Sequence, residues 1–493
     1  MKNWEHTRIK EDEIIKYMDN KKDFIPEEDI KKQLNDGKNK VFDRIRFEEI
    51  LNKSLSIKTL DPDEVAFLLN INDKDAVREM KKIAAQIKQK VYDKRIVTFA
   101  PLYTGNICVN NCAYCGFRKG NAEAVRKVLT RDQIRKETEV LAGKIGHKRL
   151  IVVYGEHPTT DIDYMVDTIR AIYSVKVKTK HGESGIRRVN VNAPPLQIDS
   201  LKKLKQVGIG TYQVFQETYN KNMYGKLHPK GTIKGHYLWR LYSMHRAFEA
   251  GIDDVGIGAL FGLYDWKFEV MGLVYHALEL EKRFNVGPHT ISFPRLEPAF
   301  NTPFSEQSPH IVSDEDFERL ILVLRLAIPH AGMILTCREN AQLKKKIIPL
   351  GITQIDASSK IGIGAYHDDH KNIKGANQQF ILGDTRSLDE IIKELAQIGY
   401  ITSFCTAGYR CGRTGECIME LLKSGKEGVF CKLNAVLTYR EWIDDFASEE
   451  TKQAAEKLIK KEIDEIKKEL PTVYEQFMDY YRKTQTGKRD LYF

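Results

Sequence analysis

From residue 96 onward, short apolar segments alternate with longer amphipathic ones, and this alternation limits the possible folds more than any other feature of the sequence. Apolar runs such as IVTFAPLY and RLIVVYG are predicted to be strands, and the stretches between them to be helices. Eight strands that alternate with helices predict an α/β fold, a closed (β/α)8 barrel of the TIM type. The predicted strands are 96–103, 149–155, 187–193, 210–216, 254–262, 288–294, 332–338 and 351–357.

The chain is predicted to have three regions. Residues 1–94 form an N-terminal helical cap, in which DPDEVAFLLNI carries a proline near a helix start. Residues 95–385 form the barrel. Residues 386–493 form a mainly helical C-terminal domain, whose first helix opens with a capping box of Ser387 and Glu390.

Composition excludes several classes of partner. The net charge of +10 comes from 78 basic and 68 acidic residues, and the basic ones are dispersed, so we expect no nucleic-acid partner. No apolar stretch approaches the roughly 20 residues of a membrane helix. The eight cysteines lie mainly in two short clusters and do not suggest a disulfide framework. We therefore expect a protein of the reducing cytoplasm.

The first cysteine cluster predicts a metal site that lacks one protein ligand. In ICVNNCAYCGF, Cys108, Cys112 and Cys115 follow the first predicted strand with the spacing C-x3-C-x2-C. A 4Fe–4S cluster is held by cysteine thiolates, so three of them leave one iron open. A structural zinc site would need a fourth Cys or His nearby, and this loop has none. Three unrelated buried cysteines are the alternative interpretation.

This spacing resembles that of the radical S-adenosylmethionine (SAM) superfamily. The resemblance implies a 4Fe–4S cluster whose open iron binds SAM, and an external electron donor. Tyr154, Gly155 and Glu156 resemble the family's GGE segment, which holds the SAM ammonium group, although such a segment is otherwise a strand-end turn. Gly256 and Gly258, in a glycine-rich strand end, are implied to contact the adenine side of SAM.

A narrower resemblance covers roughly 400 residues. The segments FQETY, GLYD, GPHTISFPR and MILTCRE are similar to those of the aromatic amino-acid lyases, above all the tyrosine lyases of FeFe-hydrogenase maturation. It implies cleavage of the Cα–Cβ bond of L-tyrosine to p-cresol and dehydroglycine, with Arg338 binding the substrate carboxylate. Gln216 and Glu217 then contact the SAM ribose or the substrate; an ion pair inside the barrel rim is the alternative.

The second cysteine cluster departs from that pattern. The related lyases carry C-x2-C-x22-C for a second 4Fe–4S cluster, which supports an extra iron and formation of CO and cyanide. Here Cys405 and Cys431 occupy the outer positions and Gly408 the middle one. Cys411 and Cys417 could substitute, so an auxiliary iron–sulfur or zinc site and four unligated thiols both remain open. The resemblance implies a histidine ligand for the extra iron, His289 or alternatively His276, although a lone histidine at a strand start such as His289 is otherwise a hydrogen-bonded core residue.

Three functions follow from these patterns. The leading hypothesis is a tyrosine lyase that serves hydrogenase maturation proteins. The second is a paralogue that acts on another aromatic amino acid or stops at dehydroglycine. The third is a non-catalytic iron-delivery scaffold, which the first cysteine cluster, Glu156 and Arg338 argue against.

Overall fold

A closed parallel barrel forms the centre of the molecule. The computed structural model describes residues 2–38, 41–368, 378–424 and 427–493. Within them, eight parallel strands follow one another around the barrel in chain order, and the last pairs with the first to close it. This confirms the predicted barrel. Its strands are β1 (Arg95–Gly105), β2 (Arg149–Tyr154), β5 (Arg188–Asn192), β6 (Tyr212–Gln213), β7 (Val255–Gly258), β8 (Thr290–Ser292), β9 (Gly332–Leu335) and β10 (Gln354–Asp356).

Three further strands were not predicted. Strands β3 (Val177–Lys178) and β4 (Glu183–Ser184) form a small antiparallel hairpin. Strand β11 (Ile401–Ser403), within the region predicted to be mainly helical, pairs in parallel with β1 on the outside of the barrel. Segments of two or three residues are too short to show a two-residue periodicity, so sequence patterns do not reveal them.

Helices surround the barrel and extend it at both ends of the chain. Thr130 with Gln133 and Ser387 with Glu390 form the two predicted capping boxes. The α-helices are α1 (Lys2–Arg8), α2 (Asp12–Ile15), α3 (Glu27–Lys38), α4 (Arg44–Leu55), α5 (Pro62–Leu69), α6 (Lys74–Tyr92), α7 (Arg131–Glu139), α8 (Ile162–Ser174), α9 (Ile198–Val207), α10 (Lys221–Leu227), α11 (Tyr237–Leu241), α12 (Ser243–Glu249), α13 (Trp266–Phe284), α14 (Phe304–Gln307), α15 (Asp314–Ala327), α16 (Ala341–Ile347), α17 (Leu388–Gln397), α18 (Ala407–Arg410), α19 (Gly415–Ser424), α20 (Glu427–Phe446), α21 (Glu449–Glu469) and α22 (Pro471–Gln485).

The C-terminal helices pack directly on the barrel. Trp442 of α20 is buried, and its indole N–H donates to the carbonyl of Ile145 at 3.1 Å, at the end of the π-helical turn Val140–Ile145 that extends α7. Gly146 follows with a φ of +91°, and a Cβ there would lie 2.6 Å from the Trp442 indole nitrogen. Glycine is therefore required where α20 meets the barrel. None of the described helices is both long enough and apolar enough to cross a membrane.

Candidate active site

The three cysteines of the first cluster line one cavity at the C-terminal ends of the barrel strands. Cys108, Cys112 and Cys115 lie in the loop that leaves β1, after a bulge where the β1–β2 register shifts between Tyr103 and Gly105. This is the end of the barrel where active sites of the fold are found.

Arg126 stabilises the conformation of this cysteine loop. Arg126 donates hydrogen bonds to four backbone carbonyls around the cysteines, at distances of 2.6–3.2 Å. A guanidinium presents five N–H donors in a fixed planar arrangement, so one side chain can fix several turns of a loop that contains no helix or strand. The four acceptors are Asn106, Phe117, Arg118 and Asn121.

Amide side chains point at two of the sulfur atoms. Asn110 Nδ2 lies 3.7 Å from Cys108 Sγ, and Gln379 Nε2 lies 3.6 Å from Cys115 Sγ. Burial raises the pKa of the Cys108 and Cys112 thiols, so the metal-free thiols are protonated and metal binding would release protons. Hydrogen bonds from amide groups such as these stabilise thiolate ligands of a metal.

The residues present fit an open-cornered cluster better than a zinc ion. The described lining of the cavity contains no histidine, and its remaining cysteine, Cys337, interacts with Asp356 and Ser359 instead. Within the described parts of the chain, no three His, Cys, Asp or Glu side chains converge closely enough for a single ion. A cubane is wider than one ion and holds its thiolates further apart, which matches three thiols along one cavity wall.

The Tyr154-Gly155-Glu156 segment lies against the cysteine loop. A Cβ on Gly155 would lie 2.4 Å from the carbonyl oxygen of Ile107, so only glycine permits this approach. The Val109 N–H donates to the Glu156 carbonyl at 2.8 Å. All three residues of the segment line the cavity, as predicted for a SAM-binding segment.

The Glu156 side chain offers an unsatisfied acceptor. Its Oε2 accepts from Asn110 Nδ2 at 2.6 Å, while its Oε1 is buried without a hydrogen-bond partner. Burial raises the pKa of this carboxyl group, although Asn110 and more distant cations oppose the shift. A buried acceptor without a partner is costly, and an ammonium group would satisfy it.

Gly256 and Gly258 do not line the cavity. A Cβ on Gly256 would lie 2.6 Å from Thr290 Oγ1, and one on Gly258 would lie 2.6 Å from the Ser292 carbonyl oxygen. The absence of side chains thus allows β7 to pack against β8 inside the barrel. The adenine contact of these two glycines stays a prediction, and the space beside them is occupied by side chains and backbone of β8 and of the segment that begins with β6.

Glu217 and Gln216 have different surroundings. Glu217 lines the cavity and forms ion pairs with Lys234 at 2.7 Å and Arg240 at 3.2 Å. Burial disfavours its ionisation, but the two cations outweigh burial and lower its pKa to about 2. The rim ion pair is therefore present. Gln216 is buried outside the lining, and neither its side-chain oxygen nor its nitrogen has a hydrogen-bond partner in the described structure.

Arg338 lies beyond the end of β9 and lines the same cavity as the cysteine loop. Its guanidinium stacks on the Phe380 ring at 3.4 Å and donates to the Arg295 carbonyl at 3.3 Å. It forms no ion pair with a carboxylate of the described residues. Burial lowers its pKa from the ordinary value, so an anionic ligand would be favoured beside it.

A second cavity lies at the opposite, N-terminal end of the barrel. Cys405, Gly408, Cys431 and His289 all line it, whereas His276 is buried elsewhere and bonds to Tyr219. Cys411 and Cys417 are exposed and do not line it. The structure therefore divides the four cysteines that the sequence grouped as one candidate set.

Strand β1 runs between the two cavities. Its alternate residues face the barrel interior: Arg95 and Val97 line the second cavity, and Phe99, Pro101 and Tyr103 line the first. Between the cavities, Phe99 packs with Ile151 and Ile334 in a small apolar cluster.

Several residues of the site escaped sequence reasoning. Lys234 and Arg240 reach Glu217 from 17 and 23 residues away in the chain, and no local pattern marks them. Gln379 and Phe380 approach from a segment that carries no recognisable motif. Asn110 and Arg126 lie close to the cysteines, so proximity to that motif is the one signal that could have found them.

Known proteins share both the sequence signature and the whole architecture. Residues 102–271 match the radical SAM superfamily domain, and residues 292–401 match the biotin and thiamin synthesis associated domain. The 2-iminoacetate synthase of Salmonella typhimurium is 29% identical over 354 residues, which cover 71% of this chain and 88% of that protein.

Two crystal structures of HydG, a maturase of the FeFe-hydrogenase, cover almost the whole chain. One has 46% identity and a TM-score of 0.90, and covers 96% of this chain and all (100%) of the other. The other, from Carboxydothermus hydrogenoformans, has 34% identity and a TM-score of 0.76, and covers 94% of this chain and 97% of its own. Membership of the superfamily implies a 4Fe–4S cluster and SAM, which the cysteine loop and Glu156 can hold. The chain therefore belongs to the HydG family of radical SAM enzymes and is a radical SAM carbon–carbon lyase.

Proposed function

We propose that this enzyme cleaves the Cα–Cβ bond of L-tyrosine and releases p-cresol and dehydroglycine, using an external electron donor. The observation that carries the proposal is the position of Arg338, which has no carboxylate partner among the described residues and lines the same cavity as the three-cysteine loop. The name of the Salmonella relative, 2-iminoacetate synthase, supports the same product, because 2-iminoacetate is dehydroglycine.

Two charged residues of the cavity are complementary to an amino-acid zwitterion. Arg338 can grip a carboxylate through its planar fork. Asp356, at the end of the neighbouring strand β10, lines the same cavity, and its Oδ1 is buried without a hydrogen bond, 4.0 Å from Lys344 Nζ. Arg338 would hold the carboxylate of tyrosine and Asp356 its ammonium group.

The cysteine end of the cavity fits the cosubstrate. Cys108, Cys112 and Cys115 would hold the cluster, and Glu156 Oε1 would accept from the SAM ammonium group. When bound, the cluster and SAM supply a 5′-deoxyadenosyl radical, which removes hydrogen from the substrate.

The remaining wall of the cavity controls water and charge. Apolar side chains, among them Phe99, Ile151 and Ile334, line it on the barrel side, where they exclude water from a reactive carbon centre. Lys234 and Arg240 keep Glu217 ionised, so this carboxylate stays an acceptor at neutral pH. We propose that Glu217 accepts a hydrogen bond from a hydroxyl group of the bound SAM ribose.

The proposal is tested by product analysis. Reconstituted protein incubated anaerobically with SAM, dithionite and L-tyrosine should release p-cresol and 5′-deoxyadenosine. Cys112→Ala, which removes one ligand of the cluster, should release neither, and is the matched control.

Other outcomes separate the competing functions. Deoxyadenosine without p-cresol from tyrosine would reject tyrosine as substrate, and the same assay with phenylalanine or tryptophan would then test another aromatic amino acid. No SAM cleavage by a protein that holds its full iron content would contradict the proposal and favour an iron-delivery scaffold. The proposed reaction ends at dehydroglycine. Formation of CO and cyanide, and therefore a role beside hydrogenase maturation proteins, would require iron in the second cavity.

A further inference from the structure

We propose that the second cavity holds no 4Fe–4S cluster in this protein, because it presents two thiols and Gly408 stands where a third would be needed. Cubane clusters are held by cysteine thiolates. The cysteine loop of the first cavity offers three thiolates, which is the minimum for a cluster with one open iron, and the second cavity offers two. The inference concerns iron binding and does not depend on tyrosine being the substrate.

The two cysteines of the cavity reach it from different elements. Cys405 follows β11 with a φ of +46°, and Cys431 lies on α20. Arg188 Nη1 donates to the Cys405 carbonyl at 3.0 Å and lies 3.5 Å from its sulfur. A buried guanidinium thus occupies part of the space around the sulfur that a metal would need.

The two other cysteines are directed elsewhere. The thiol of Cys411 lies 3.6 Å from the Phe493 carbonyl oxygen, at the C-terminal end of the chain. Cys417 is exposed on α19. Neither lines the cavity, so neither replaces the missing ligand without a rearrangement of α18 or α19.

Gly408 lies on α18 and faces open space in the cavity wall. A Cβ at this position would have no neighbour closer than the Arg413 carbonyl oxygen at 3.7 Å, an ordinary contact distance. A Cβ therefore fits at 408 without displacing backbone. The cavity therefore lacks a third cysteine ligand, although position 408 has space for a side chain.

The experiment removes the first site and then completes the second. In a variant with Cys108, Cys112 and Cys115 all changed to Ala, anaerobic reconstitution should leave almost no bound iron. Adding Gly408→Cys to that variant should restore about four irons per chain and the EPR signal of a reduced cubane. Gly408→Ser, which is the same size without the thiolate, is the matched control and should stay without iron.

Two results would overturn the proposal. About four irons in the triple-alanine variant would show that the second cavity already holds a cluster, and their loss on further Cys411→Ala would identify the ligand that the structure places outside. A Gly408→Cys protein that keeps the parent circular dichroism spectrum but gains no iron would show that residue 408 is not the missing corner.

Discussion

At the scale of single residues, the proposed binding of a substrate carboxylate by Arg338 can be tested directly. Replacing it with Met should lower kcat/KM for tyrosine by roughly 10- to 100-fold, mainly through KM, because hydrogen bonds to charged groups are worth about 1.5–3 kcal/mol. Arg338→Lys should lose less, since it keeps the charge but not the planar fork. Steady-state release of p-cresol measures the kcat and KM of both variants. An unchanged KM in the Met variant would show that Arg338 does not bind the substrate.

Site residues were predictable from the sequence where they belong to a short motif of neighbouring positions. The cysteine loop and Glu156 form short motifs, and the structure brings them to one cavity. Lys234 and Arg240 could not be found in this way, because their partner Glu217 is distant in the chain and meets them only in the folded barrel. The grouping of Cys411 with Cys405 as metal ligands stays a prediction, and of these two the structure places only Cys405 in the second cavity, since nearness in sequence does not determine which way a side chain faces.

At the scale of elements, the cysteine loop depends on Arg126. Arg126→Met should speed the release of iron to a chelator several-fold, because four backbone carbonyls lose their donor and the loop loosens around the thiols. Arg118→Met is the matched control: Arg118 bonds one carbonyl, that of Asn301, at 2.9 Å, and its loss should have little effect. Equal rates of iron release in the two variants would contradict a special role for Arg126.

The barrel strands were predictable because eight segments repeat one pattern, and each predicted strand overlaps an observed one. The ends of these strands were not predictable in the same way. The segment predicted at 210–216 contains a regular strand of two residues, Tyr212–Gln213. Beyond it, the N–H groups of Val214 and Gln216 still donate to the carbonyls of Gly256 and Gly258, so the pairing with β7 continues less regularly toward the cavity.

At the scale of the whole molecule, the C-terminal region packs on the barrel through Trp442, and we expect the two to unfold together. Trp442→Ala should reduce the free energy of unfolding by about 3–5 kcal/mol, the usual cost of truncating a large buried aromatic side chain. Chemical denaturation followed by circular dichroism measures this. Val41, which is 91% exposed, is the control, and Val41→Ala should change stability by less than about 0.5 kcal/mol. Two separate unfolding transitions would contradict a single cooperative unit.

Strand β1 supplies side chains to both chambers from one continuous backbone. Successive residues of a strand point to opposite faces, so a shift by a single position reverses all of them. Deleting one amino acid near Val97 would therefore turn the remaining inward-facing groups toward the surrounding helices and damage the thiol loop together with the far chamber. A substitution at position 408 changes the ligands that the second chamber offers, whereas Arg95 and Val97 in its wall belong to the same strand as the side chains at the thiol end.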